Sequence, residues 1–251
     1  QQMYQEFTSK HEICSIGLTG QMHGYVYISA DGKAVSPLYN WQDGRGNRMY
    51  SNDKTYCQEI EERTGYPCNS GYAFTPMFYN HRNHLEPKDT KSFCSIMDYI
   101  VMVLTNREAP LIHISNAASF GLCDIKNNQF DTEAIEKLNL TNITLPEIEK
   151  TSDIAGYYRD IPVSVAIGGN QASFFGSVKD EKRTALVNIG TGSQVSVVFD
   201  HYVDTAANLE IRPYLFGKYL VAGSALCGGK AYAVLEKFFA DYVYEITGSK
   251  E

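Results

Sequence analysis

Hydrophobic and polar positions alternate along the chain in a few recurring ways, and each predicts an element. "EICSIGLTGQM" (12–22) is an apolar run that stops at glycine and polar residues, the pattern of a buried strand entering a loop. "YVYISADGKAVSPLYNW" (25–41) alternates around Asp31-Gly32, a hairpin signal. "SNDKTYCQEIEERTG" (51–65) predicts a helix with a capping residue before it and Gly65 after it. "TPMFYNHRNHL" (75–85) predicts another, with Thr75 as N-cap and Pro76 at the first helical position. "FCSIMDYIVMVLTN" (93–106) reads as a more buried helix, and "FDTEAIEKLNL" (130–140) as an amphipathic one capped by Asp131. "VSVAIGGNQASFFGSV" (163–178) predicts a strand, a glycine corner and a helix.

After Val178 the pattern changes. "SVKDEKR" (177–183) is a charged, exposed stretch suited to joining two lobes, 1–178 and 179–251. "TALVNIGTGSQVSVVFD" (184–200) then predicts strand, glycine turn and strand, "IRPYLFGKYLVAG" (211–223) a hairpin, and "GGKAYAVLEKFFADYVYEI" (228–246) a long helix. Hairpins followed by helices imply an α/β chain with a mixed sheet.

Charge and composition remove several function classes. A net charge of -7 without a basic run argues against nucleic acid, and no apolar stretch is long enough to span a bilayer. The six cysteines form no CxxC pair, which reads as free thiols in a reducing cytoplasm. His81 and His84 in "HRNH" lack a third ligand, so no metal site is assigned. The opening "QQMYQEF" has no initiator methionine and "ITGSKE" directly follows a helical run, so both ends read as cuts through a longer protein.

Four stretches carry candidate chemistry. In "NIGTGSQ" (188–194), Gly190 and Gly192 let backbone N–H groups face an anion, with hydroxyls from Thr191 and Ser193; an ordinary hairpin turn is the alternative. Gly228-Gly229 at a helix start suits phosphate, or equally the close packing of helix on sheet. "GLTGQMHGY" and "NWQDGR" offer Gln21, Met22, His23, Trp41, Gln42, Asp43 and Arg45, a set suited to a polyhydroxylated ligand whose C–H face lies on the indole. Each of these residues taken singly has a structural explanation. At the corner, Gly168, Gly169, Asn170 and Gln171 include no group that exchanges a proton near neutral pH.

Taken together and in order, "IGLTGQMHG", "YNWQDGR", "MDYIVMVLTN", "HISNAASFGLCDI", "AIGGNQASFFGS", "NIGTGSQVSVV" and "AGSALCGGKAYAVLEKFF" resemble the FGGY carbohydrate kinases, over Ile16 to Phe239. The wording is most similar to the sedoheptulokinase-like branch, with xylulokinases next. The resemblance implies a two-lobed ribonuclease-H/actin-like fold, with most of the sugar lobe in 1–178 and the start of the ATP lobe in 179–251. It implies ATP and Mg2+ as cofactors and a small ketose as substrate in the cytoplasm, and leaves a homodimer open. Met22 and His23 match the family's sugar-contacting pair, and Asn170 a position beside sugar hydroxyls. Gly190, Thr191 and Gly192 match a phosphate loop, and Gly229 a glycine against the nucleotide.

Two departures from the family follow. Its first phosphate motif should precede Gln1 and its later adenine motif should follow Glu251, so the chain reads as an internal fragment. In the family the corner reads Gly-Asp-Asn/Gln-Gln, the Asp being the general base, and here Gly169 takes that place. General-base help is worth about 10²–10⁴-fold. The glycine marks a kinase silenced by substitution, a sugar-binding pseudokinase, or a site in which another carboxylate such as Asp43 acts. A poorly folded truncated second lobe is a further, purely structural reading.

Overall fold

In a computed structural model of the protein, residues 2–150, 153–190, 192–206, 208–225 and 227–248 are described. Two compact units divide the chain, Gln1–Ala172 and Ser173–Glu251. The first contains, in order, α1 (Gln2–Thr8), β1 (Thr19–Gly20), β2 (Val26–Ser29), α2 (Tyr56–Thr64), α3 (Phe74–Arg82), β3 (Thr90–Cys94), α4 (Ile96–Thr105), β4 (Leu111–Ile112) and α5 (Ile114–Ser119). It continues through β5 (Cys123–Asp124), β6 (Gln129–Phe130), α6 (Thr132–Lys137), β7 (Glu147–Ile148), β8 (Ile154–Tyr158), β9 (Ile161–Ser164), β10 (Ile167–Gly168) and the start of α7 (Gly169–Ser177). Parallel pairs (β1 with β10, β4 with β7) coexist with antiparallel ones (β2 with β3, β8 with β9), the mixed pairing expected.

Local signals set the helix ends. Thr55 and Gln58 form a capping box at α2, whose C-cap Gly65 has φ +77°. Ser95 and Asp98 do the same for α4, and Asp131 accepts from the Ala134 N–H to cap α6. Three expectations are corrected. Helix α3 starts at Phe74 behind Ala73, because the Thr75 hydroxyl donates to Asn69 O (2.9 Å) instead of capping the helix; Pro76 falls within the first turn, where its missing N–H costs nothing. Phe93 and Cys94 close strand β3 before α4 begins. The return limb of the 25–41 hairpin makes only isolated pairings, Ala34 with Ile28 and Tyr39 with Tyr25, since Pro37 has no N–H and the Ser36 hydroxyl takes the Tyr27 N–H (3.0 Å).

Phe93 centres the aromatic core of this unit, with ring centroids 5.3 Å from Phe120, 5.5 Å from Phe74 and 6.3 Å from Tyr25. The second unit holds β11 (Leu186–Ile189), β12 (Ser193–Phe199), β13 (Glu210–Pro213), β14 (Tyr219–Ala225) and α8 (Gly229–Thr247), with antiparallel strand order β11-β12-β14-β13. Its buried core is small: Phe174, Tyr214 and Leu220. The stretch 177–183 is only partly the exposed connection expected, because Glu181 accepts from Tyr214 Oη (2.8 Å) and from Lys218 Nζ (2.6 Å). No residue of α8 among those described is buried, and no helix among the described residues is long and apolar enough to cross a membrane.

Deleting the central ring should dwarf loss of a cap. Phe93→Ala is expected to cost about 3–5 kcal/mol and Thr55→Ala about 1 kcal/mol in urea denaturation; comparable losses would mean Phe93 does not centre the core.

Candidate functional site

The site begins where two short strands end together. In the parallel pair β1 and β10, Thr19 lies beside Ile167 and Gly20 beside Gly168, with the Thr19 hydroxyl donating to Ile167 O at 2.9 Å. Gln21, Met22 and His23 therefore leave one strand where Gly169 and Asn170 leave the other. The approach is close: a Cβ placed on Gly169 would lie 2.5 Å from the carbonyl oxygen of Gly20, so any side chain there requires the two strand ends to shift apart. Met22 is buried, and its Sδ lies 3.0 Å from where a Cβ of Gly168 would sit. Gln21 and Asn170 are half-buried.

Helix α5 ties both strand ends together. His23 sits in the left-handed region (φ +73°), uncommon for a residue with a Cβ. Ser119 holds it there: its hydroxyl accepts the His23 N–H (3.1 Å), and its carbonyl lies 2.7 Å from Nδ1. Because a carbonyl only accepts, Nδ1 carries the proton and Nε2 is the acceptor of the neutral ring. The Tyr72 ring stacks on the imidazole at 4.7 Å and 12°. On the other strand, the Ser115 hydroxyl accepts the Gly168 N–H (3.0 Å), and Asn116 Nδ2 donates to Ala166 O (3.0 Å) and to Asp98 Oδ1 (3.1 Å). Sequence reasoning gave Ser115, Asn116 and Ser119 no role of their own. The available signal was three polar residues on one short helix in apolar surroundings.

The remaining predicted sugar residues reach the same region through a second loop. Tyr25 and Tyr39 exchange backbone hydrogen bonds (2.8 and 3.0 Å), which carries the chain past His23 to Trp41. Trp41 is 53% exposed. Gly71 packs so tightly on the Trp41 carbonyl that a Cβ would overlap it, and the next residue is the Tyr72 that stacks on His23. Trp41 and His23 are thus linked through one dipeptide. Asp43 turns elsewhere: its Oδ1 accepts the Arg45 N–H (2.9 Å), its Oδ2 lies 3.4 Å from Arg45 Nη1, and that guanidinium lies over the Tyr39 ring at 4.6 Å. This carboxylate is committed to its own turn and to Arg45.

In the second unit the two glycine motifs meet. Gly190 N–H donates to Gly192 O (2.8 Å), Gly229 N–H donates to Gly190 O (2.7 Å), and the Ser193 hydroxyl donates to Cys227 O (3.0 Å). The β11–β12 turn therefore lies on the N-terminus of α8, where the helix dipole favours an anion. The amides of Gly190 and Gly229 close this loop internally. Thr191 lies outside the described residues. Among the described residues no group of three or more His, Cys, Asp or Glu could hold a metal ion. A cavity of about 670 Å³ in the first unit is lined by Tyr4, Phe7, Val103, Leu104, Tyr158 and Arg159 among others, and shares no residue with the corner.

With this geometry in view, the model of the FGGY family of carbohydrate kinases, N-terminal domain, matches residues 1–187. The chain belongs to the FGGY family of carbohydrate kinases. Mouse sedoheptulokinase is 28% identical over 93% of this chain and 55% of its own length. Glycerol kinase 2 of Sulfolobus acidocaldarius is 30% identical over 73% of the chain and 39% of its own. Among solved structures, a xylulose kinase from Rhodospirillum rubrum superposes with a TM-score of 0.76 at 17% identity, over 95% of this chain and 51% of that one, which shows the shared fold. The chain spans about half the length of the curated relatives it matches.

Two buried groups beside this FGGY corner titrate abnormally. Burial lowers the pKa of His113, whose Nδ1 accepts from the Ser115 N–H (3.1 Å). Burial raises Asp98 from 3.8 to about 7, against the opposing hydrogen bonds from Ser95 and Asn116. An acid whose folded pKa is raised stabilises the fold below its unfolded pKa and loses that contribution as pH rises through the folded one. Thermal melts should therefore show stability falling from about pH 4 to about pH 7. Asp98→Asn should flatten that slope; an unchanged slope would place the titration elsewhere.

Proposed function

We propose that this chain carries the sugar-binding lobe of an ATP-dependent ketose kinase, with the sugar site at the corner of the first unit and the beginning of the ATP lobe in the second. The observation that carries the reading is the meeting of the β1 and β10 ends with His23 and Trp41 through Ser119 and Tyr72. A half-exposed indole on the loop that packs at Gly71-Tyr72, the Tyr72 that stacks on His23, together with two half-buried amides, suits a ligand with one C–H face and several hydroxyls. The similarity to sedoheptulokinase supports a ketose, and the glycerol kinases among the relatives make glycerol the competing substrate to test.

Within this reading the chain's residues bind and orient. His23 is held by Ser119 and Tyr72 with Nε2 as an acceptor for a sugar hydroxyl, Met22 packs behind it, and Asn170 and Gln21 offer amides. A Cβ on Gly228 or Gly229 would meet the carbonyl oxygens of Gly192 and Gly190, so these glycines let the turn pack on the start of α8, and a phosphate chain would be met there by the helix N-terminus. ATP supplies the phosphoryl group when bound, and magnesium would come with its phosphates.

The β10–α7 turn itself has no group to take the proton of an attacking hydroxyl, since Gly169 has no side chain, and Asp43 is committed to Arg45. This favours a corner that binds and positions sugar with little turnover, which is also what a pseudokinase would do. ADP release by the protein of the reading frame that encodes this chain, across sedoheptulose, xylulose and glycerol, tests it. Gly169→Asp should raise release by about 10²–10⁴-fold with a ketose, while Gly169→Ala, which makes the same demand on Gly20 O without a carboxylate, should not. No gain in the Asp variant despite ketose binding would favour the pseudokinase, and equal turnover with Gly and Asp would overturn the assignment of this corner.

A further inference from the structure

Residues behind the corner form a continuous buried chain of hydrogen bonds whose last members never reach the ligand side. Asp98 and Asn116 are both 0% exposed. The Ser95 hydroxyl donates to Asp98 Oδ2 (2.6 Å), and Asp98 Oδ1 accepts from Asn116 Nδ2 (3.1 Å), whose second hydrogen goes to Ala166 O (3.0 Å). We propose that Asp98 is a positioning residue of the sugar corner, acting through Asn116 to fix the Ala166 carbonyl and hence the register of Ile167–Gly168 beside Thr19–Gly20. The proposal rests on the reading of this corner as the sugar site.

The chemistry of the amide makes the link directional. An Asn side chain has one end that donates twice and one that accepts. Asn116 meets two acceptors, Asp98 Oδ1 and Ala166 O, so only one of its two flips satisfies both. Reversing the amide would set oxygen against oxygen twice. An acceptor at position 98 therefore selects the orientation that holds Ala166. The consequence runs along the strand: Ala166 precedes Ile167 and Gly168, the two residues paired with β1, and Gly169 follows with 2.5 Å between its would-be Cβ and Gly20 O. The same helix α5 also holds His23 through Ser119, and Ser115 holds Gly168. A tilt of Asn116 would thus disturb both sides of the corner. Met97, next to Asp98, adds a second contact, since its Sδ lies 2.9 Å from where a Cβ of Gly20 would sit.

Conservative and disruptive variants separate positioning from mere stability. Asp98→Asn keeps an acceptor for Asn116 by turning its oxygen that way; its amide then donates to the Ser95 hydroxyl and gives up only the longer bond from the Ser95 N–H (3.3 Å). Asp98→Leu removes the acceptor. Asn116→Ala cuts the link to Ala166 while leaving the α4 cap intact, and serves if Asp98→Leu does not fold. Binding of sedoheptulose by calorimetry and amide hydrogen exchange would be read on all of them. Asp98→Asn should bind within threefold of wild type. Asp98→Leu and Asn116→Ala should bind at least tenfold more weakly, their double variant no worse than either, with faster exchange confined to 163–172 and 19–25 and protection unchanged in 123–140. Wild-type binding by Asp98→Leu or Asn116→Ala, equal damage by Asp98→Asn, or exchange accelerated throughout the chain would overturn the proposal. If the wild type binds no ketose, the sugar reading fails, and the exchange pattern alone still decides the positioning role.

Discussion

Two residue pairs, Thr19 with Ile167 and Gly20 with Gly168, hold the site together. They join segments almost 150 residues apart in the sequence, and a ladder of that length is weak by itself. Its geometry is preserved by what surrounds it: glycine at 169, which allows backbone to meet backbone, glycines at 20 and 168, against which the side chains of Met97, Met22 and Gln171 pack, and a helix that bonds to both strand ends. Every residue proposed to touch sugar departs from this junction or from the loop laid across it. A change that separates the strands by a few tenths of an ångström would disperse the site while leaving the aromatic core around Phe93 untouched.

That junction also gives Gly169 its meaning. The resemblance to the family implies a carboxylate at this position, where this chain has glycine. The corner is not merely an aspartate site lacking its side chain, since the backbone has closed to a distance that a Cβ does not tolerate. Restoring the acid therefore asks for a small opening as well as for a new group. The carboxylate of Asp43 is turned into its own turn by the Arg45 N–H and guanidinium. On the proposed reading, binding and catalysis separate in this chain.

Much of this was legible in the sequence because the signals are local. The cap before α2 and Gly65 after it, the glycine turn after Ile189 and the strand–corner–helix around Gly169 depend on neighbours within a few residues, and they form as expected. What was hidden depends on distant partners. Thr75 looks like an N-cap until Asn69 O takes its hydroxyl, and Phe93 looks helical until strand β2 pairs with it. The roles of Ser115, Asn116 and Ser119 exist only through contacts with residues 168, 166 and 23, which no periodicity announces. Trp41 and His23 were read as candidates, but their link through Gly71-Tyr72 required the fold.

The central claim is that one sugar fits the junction that His23 and Trp41 share. Trp41 is the single tryptophan of the chain, so its fluorescence reports on this place alone. The direct measurement is a titration of the protein with sedoheptulose, followed by tryptophan emission, with glycerol in parallel. The account predicts a saturable change with the ketose, lost in His23→Ala and weaker with glycerol. Ketose binding seen by calorimetry without any change in Trp41, or no binding of either ligand by a folded protein, would contradict it.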